Sequence, residues 1–171
     1  MIWVKRWFQL TILMLLAFIW GSSFILMKIG MLSFSSDQAA AIRIVLASLV
    51  LLPVAVRHIK KLERKDLKSL LIAGFIGSFF PAFLFMKSET QIDSALAGML
   101  NSLTPVFTLI VGLLFHRTAF RWKQVVGLST GLAGATGLIL AGQGFHFGTI
   151  NSYALYIVLA TFFYAISMNQ I

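Results

Sequence analysis

The 171-residue sequence contains no cysteine. Disulfide frameworks, thiolate metal sites and cysteine nucleophiles are therefore excluded. Charge is scarce as well. Only 11% of the residues are charged, against roughly 25% in soluble domains. Just five are acidic. The three histidines, His58, His116 and His146, stand in no metal-ligand spacing, and the chain has neither a nucleophile elbow nor a phosphate-binding loop. An enzyme in such a chain would need acid–base pairs inside its apolar runs, and those runs hold almost no titratable side chains. No catalytic residues, metal or cofactor are expected, and the chain is not read as an enzyme.

What the sequence has instead is apolar length. Hydrophobic residues make up 59% of it, and the mean hydropathy is +0.92. Too little polar surface is available to cover that material in water, so lipid is the natural solvent. Six apolar runs follow one another, at Phe8–Met27, Ala39–Val56, Ser69–Phe85, Ser94–Phe115, Val125–Ala141 and Ser152–Asn169. Each is close to the roughly 20 residues that a helix needs to cross about 30 Å of hydrocarbon. None alternates apolar and polar residues with the period of a barrel strand. In hydrocarbon every backbone polar group must be paired within the segment, which leaves helices. The fold class expected is all-α: a polytopic transmembrane bundle of six spans. The first run is too long for a signal-peptide core and is read as an uncleaved helix.

Net charge is +9, but the cations are placed like loop charges and not like a nucleic-acid footprint. Eleven of the fourteen Lys and Arg residues fall on alternate connectors. Lys5 and Arg6 precede the first span. Arg57, Lys60, Lys61, Arg64, Lys65 and Lys68 follow the second, and Arg117, Arg121 and Lys123 follow the fourth. The positive-inside rule then puts the N-terminus and these connectors in the cytoplasm of a multi-pass protein of the plasma or inner membrane. Trp3, Trp7 and Trp122 suit the inner interface, and Tyr153 and Tyr156 the outer one. The basic connectors are read as topology signals, and no nucleic-acid partner is expected.

Several features interrupt the apolar runs. Pro81 and Pro105 lie well inside spans, where each removes a backbone donor and is expected to kink its helix. Asn101, Ser102 and Thr104 surround Pro105, and a broken, polar mid-span segment is the usual pointer to a transporter's binding site. Trp20, Gly21, Ser22 and Ser23 form a thin polar patch in the first span. Arg43 lies about 6 Å inside the second, at 1.5 Å per residue, near enough to the edge to snorkel. Glu89 and Asp93 are placed at the outer ends of the third and fourth spans, within reach of Arg43, and Lys28 and Lys87 are read as interfacial. Trp20, Ser23, Arg43, Asn101 and Thr104 are the candidate cavity residues. In the fifth span Gly127 and Gly131 form a GxxxG pair. Ala133, Gly137 and Ala141 add a second small-residue row, suited to close helix packing.

Taken in order, "WGSSF" in the first span, a lone arginine early in the second, and "SALAGMLNSLTPVFTLIVGLLFHRTAFRWKQVVGLSTGLAGATGLIL" across the fourth and fifth resemble the EamA family of the drug/metabolite transporter superfamily. The resemblance covers about Thr11–Ala141. It implies a secondary transporter or exporter of small metabolites, built from two five-helix repeats around a central cavity. His116-Arg117 stands where the family commonly has a glutamate before the closing basic residue.

The end of the chain adds a further expectation. Shifting "LLAFIWGSSFILMK" by 144 positions sets Leu15 on Leu159, Trp20 on Tyr164, Gly21 on Ala165 and Ser23 on Ser167. Residues 8–141 are accordingly read as one five-helix repeat, and residues 150–171 as the first helix of a second. An odd number of crossings inverts a tandem copy. The sequence thus predicts a fragment of a ten-helix carrier in a lipid bilayer. Its ligand would be a small metabolite, and a second copy or complementary repeat would complete it. The alternatives are a non-transporting scaffold that binds helices through the glycine rows, or an inert truncated product.

Overall fold

The computed structural model describes residues 6–115, 122–141 and 151–170. Trp3, Lys5, His116, Arg117, Arg121 and His146, which the sequence singles out, lie outside the described residues. Among the described residues there is no strand.

The helices are α1 (Arg6–Gly30), α2 (Ser36–His58), α3 (Asp66–Glu89), α4 (Ser94–Phe115), α5 (Trp122–Ala141) and α6 (Ala154–Met168). The first four are long and apolar enough to cross a bilayer, and α6 is a shorter apolar helix. The apolar faces of α1 look outward, with Trp7, Met14 and Phe18 all more than 70% exposed. Such contiguous apolar surface fits lipid and not water.

Helix ends follow local chemistry. Ser35 opens α2 with a capping box: its Oγ accepts from the Gln38 N–H at 3.3 Å, and its own N–H donates to Gln38 Oε1 at 3.1 Å. A cap of this kind is worth about 1 kcal/mol. It starts α2 three residues before the apolar run at Ala39. In the same way α3 begins at Asp66 and ends at Glu89, beyond the apolar run Ser69–Phe85 on both sides. The extension matters, because it makes Glu89 the last residue of the helix.

Two of the three prolines sit at helix irregularities. Pro81 opens the last part of α3, directly after a π-helical turn at Phe75–Phe79. There the Phe80 N–H donates to the Phe75 carbonyl, five residues back. A widened turn re-registers the bonds just where proline has no donor to give. Pro105 starts the second half of α4, after a break at Ser102 and Leu103. Pro53, by contrast, lies within continuous α2.

Packing is concentrated at one end of the bundle. Phe85, Ile92, Leu96, Ala97, Ile157 and Ala160 form one buried cluster there, and Met27, Ala39, Ala40 and Met86 a second beside it. Backbone carbonyls at this end are taken by side chains. Lys28 Nζ donates to the carbonyls of Glu89 (3.1 Å) and Ile92 (2.7 Å), so it caps α3 and is not merely interfacial. Ser88 Oγ donates to the Tyr153 carbonyl at 2.7 Å, and Asn151 Nδ2 to the Gln91 carbonyl at 3.2 Å. These bonds set directions. The C-terminal end of α1 and the N-terminal end of α6 both meet the C-terminal end of α3, so α6 runs antiparallel to α1.

Candidate substrate cavity

The break in α4, the polar patch of α1 and the arginine of α2 come together around one cavity of about 660 Å³. That is within the range of small-molecule sites, roughly 300–1,000 Å³. From α1 come Trp20, Ser23, Phe24 and Met27; from α2, Arg43; from α3, Phe85. The interrupted α4 contributes Asn101, Ser102, Thr104, Pro105 and Thr108, and α6 contributes Tyr164 and Met168. All five cavity candidates named from the sequence are therefore on one wall or another of the same space. Phe24, Met27, Phe85 and Met168 were not singled out beforehand, since an aromatic or Met in an apolar run carries no signal of which face it occupies.

The lining is an apolar shell with a few polar groups. Pro105 has no N–H to offer the Asn101 carbonyl four residues earlier, so the local ladder is interrupted. Side chains fill in: Thr104 Oγ1 donates to Asn101 Oδ1 at 3.3 Å, and Thr108 Oγ1 to the Thr104 carbonyl at 2.8 Å. On the far side Asn169 Nδ2 donates to the Thr108 carbonyl at 3.0 Å and to the Ala165 carbonyl at 2.8 Å. That bridge ties the end of α6 to the middle of α4.

Arg43 supplies the cavity's positive charge. Among the described residues its guanidinium makes one hydrogen bond, from Nη1 to the Met27 thioether at 3.0 Å. Sulfur is a weak acceptor, and a guanidinium has five N–H donors in a fork suited to carboxylate or phosphate. No acidic residue lines the cavity. Trp20, Phe24, Phe85 and Tyr164 give the same cavity ring surface. Chemically, the space suits a small molecule with an apolar or aromatic body and a polar, anionic end.

The small-residue row of α5 stands apart from this site. A Cβ built at Gly127, Gly131, Gly134 or Gly137 meets nothing within 4 Å. Ala133 on the same helix is exposed, and Ala141 is its last residue. Among the described residues the close-approach glycine is Gly77, in the π turn of α3. A Cβ there would fall on the Ser167 side chain of α6, 2.7 Å from its Cβ. Gly74 and Ser78, four residues apart on the same helix, line a separate groove with Ile44 and Ser48 of α2. Among the described residues no group of His, Asp or Glu is placed to hold a metal ion.

Comparison with known proteins identifies the family. The EamA-like transporter family matches residues 7–140. The uncharacterized transporter YdfC of Bacillus subtilis is 28% identical over 145 residues, 84% of this chain and 47% of that protein. An uncharacterized transporter of Archaeoglobus fulgidus is 30% identical over 126 residues, 73% of this chain and 44% of that protein. The S-adenosylmethionine/S-adenosylhomocysteine transporter of Chlamydia muridarum is 28% identical over 130 residues, 75% of this chain and 41% of that protein. The chain thus spans less than half the length of each of these relatives. No solved structure matches it significantly.

Proposed function

The chain belongs to the EamA-like transporter family, and from that premise we propose that it forms the substrate-binding half of a secondary carrier for small metabolites. The observation that bears the most weight is the cavity. Five helices converge on it, and it gathers Arg43, Asn101 and Thr104 from otherwise apolar runs. Polar groups inside a membrane helix are costly and are expected to face a cavity or one another. Here they face the space that a substrate would occupy.

In the same reading residues 8–141 are one repeat, and α6 within 150–171 opens an inverted second one. Two observations favour this. The matched positions Trp20 and Tyr164 both line the cavity, and α6 runs opposite to α1. The N-terminus and the basic connectors then lie in the cytoplasm, with the cavity reached by alternating access from either side of the cell membrane. The ligand is a small molecule that pairs an anionic group with an apolar or aromatic body. S-adenosylmethionine, named for one relative, has both an amino-acid carboxylate and an aromatic base, and belongs in the first panel tested.

The scaffold reading draws on one observation, the open row Gly127–Gly137. Flux through the complete protein in proteoliposomes separates the two readings. Arg43→Ala or Asn101→Ala is expected to abolish uptake of a transported panel member while expression and assembly persist. Uptake that survives both, and fails only when Gly127 and Gly131 are replaced, would establish the scaffold instead.

A further inference from the structure

Of the five acidic residues, Glu89 is the buried one. Asp37, Glu63 and Asp93 are exposed, and Asp66 is half-buried. The Glu89 side chain has 0% exposure, and neither carboxylate oxygen has a hydrogen-bond partner among the described residues. The ion pair that those residues do contain, Lys65–Glu63 at 2.8 Å, is on the surface. An ionised carboxylate in apolar surroundings without donors is unfavourable; it is either met by a cation or neutralised by a proton.

Two cations meet at this corner: Lys28 of α1 donates to the Glu89 carbonyl, and Arg43 of α2 donates to Met27, the residue before Lys28. Lys28 Nζ is engaged by two backbone carbonyls, those of Glu89 itself and Ile92. Arg43 is held only by the Met27 thioether among the described residues, and it faces the cavity. From α6, Tyr153 meets this end of α3 through its backbone carbonyl, while Tyr164 lines the cavity together with Arg43. From the start of α4, Asp93 is turned to solvent. Arg43 is therefore open to two claims on one positive charge, that of an anionic group in the cavity it lines and that of the buried Glu89 carboxylate at the same corner of the bundle.

We propose that Glu89 is a proton-binding site coupled to the cavity through Arg43. When an anionic group in the cavity draws Arg43, the Glu89 carboxylate loses its counter-charge and accepts a proton from water onto one of its oxygens. When the ligand departs, Arg43 compensates Glu89 again and the proton returns to water. No other bond forms or breaks. The coupling rests on the carrier reading above and makes proton and substrate travel together; the proton site itself does not need flux.

The test uses the 171-residue chain in lipid nanodiscs and the probe dicyclohexylcarbodiimide, an apolar reagent that takes its proton from a carboxylic acid as it forms the adduct. Peptide mass spectrometry assigns the adduct among the five acids. Expected are modification at Glu89, a fall in that modification as pH rises, and its absence in Glu89→Gln. In Arg43→Met the fall is expected to move to higher pH by about one unit, the scale on which a neighbouring cation acts on a carboxyl. Glu89 left unmodified at every pH in the unaltered chain would overturn the site. A pH dependence identical in Arg43→Met would overturn the coupling. The unaltered chain suffices for the first outcome, so a variant that fails to fold does not blunt it. The labelling needs no transport, so a complete protein without flux would remove the carrier reading and leave the proton site standing.

Discussion

The last two helices, α5 and α6, are neighbours in sequence and opposites in packing. Both are apolar and both are rich in small residues. In α6, Ile157, Ala160, Thr161 and Ala165 have 0% exposure. In α5 no residue from 122 to 137 is buried, and its glycines face open space. Small residues permit close approach, but lipid gives helices little reason to meet, so a partner with a matching surface is also required. For α6 that partner is present. The π turn of α3 brings Gly77 against Ser167, and α4 brings Leu96 and Ala97 to the cluster with Ile157 and Ala160. For α5 the matching surface is not among the described residues.

Substitutions can break or sharpen this contrast. The largest effect is expected at the packed end. Leu96→Ala opens a void in the cluster that holds α6 and is expected to destabilise the chain by about 2 kcal/mol, the low end for buried leucines because lipid rather than water is the alternative solvent. Thermal unfolding in detergent reads this directly, and an unchanged midpoint would show that α6 is not seated as described. Next is Gly77→Leu, which drives a side chain into Ser167 and is expected to cost roughly 1–3 kcal/mol, as overpacking does. Ser167→Gly on the same background is expected to recover part of the loss, and no recovery would place the clash elsewhere. Lys28→Met removes the donor to two carbonyls at the end of α3; about 1–2 kcal/mol is expected from lost charge-assisted bonds. Proteolysis of the connector between α3 and α4 is expected to quicken in that variant. Smallest is Gly127→Leu, expected to stay within about 0.5 kcal/mol of the unaltered chain. A large loss there would show that the open row is occupied after all.

The cavity was legible in the sequence to the extent that polarity marks it. Arg43, Asn101, Thr104, Ser23 and Trp20 stand out because each is an anomaly in an apolar run, and a membrane helix tolerates such a residue chiefly where it faces inward. Tyr164 could be found only by setting the chain against itself. The apolar lining gave no such signal, because Phe24 and Phe85 look like any other phenylalanine until their neighbours are known. Glu89 stands at the outer end of the third span as the sequence places it, but its burial is not legible there. Hydropathy ends the third span at Phe85, whereas the helix continues for another turn, into a corner enclosed by α1, α2 and α6. Burial at a helix end is made by tertiary packing, and the local pattern does not contain it. Gly77 carries no such mark either, since small-residue spacing in one helix does not reveal where a second helix crosses it. Pro81 and Pro105 are visible in the sequence, but only the structure shows a π turn before the first and a break before the second.

The central claim is that the space around Arg43 and the broken α4 is an aqueous route into the membrane. The absence of cysteine makes this directly measurable, because a single cysteine introduced is the one thiol of the 171-residue chain. In intact membranes, Ser23→Cys and Thr104→Cys are expected to react with a charged, water-soluble thiol reagent, and Phe18→Cys, on the outward apolar face of α1, is expected not to. Thr104→Cys left unlabelled, or Phe18→Cys labelled as fast as Thr104→Cys, would contradict the account.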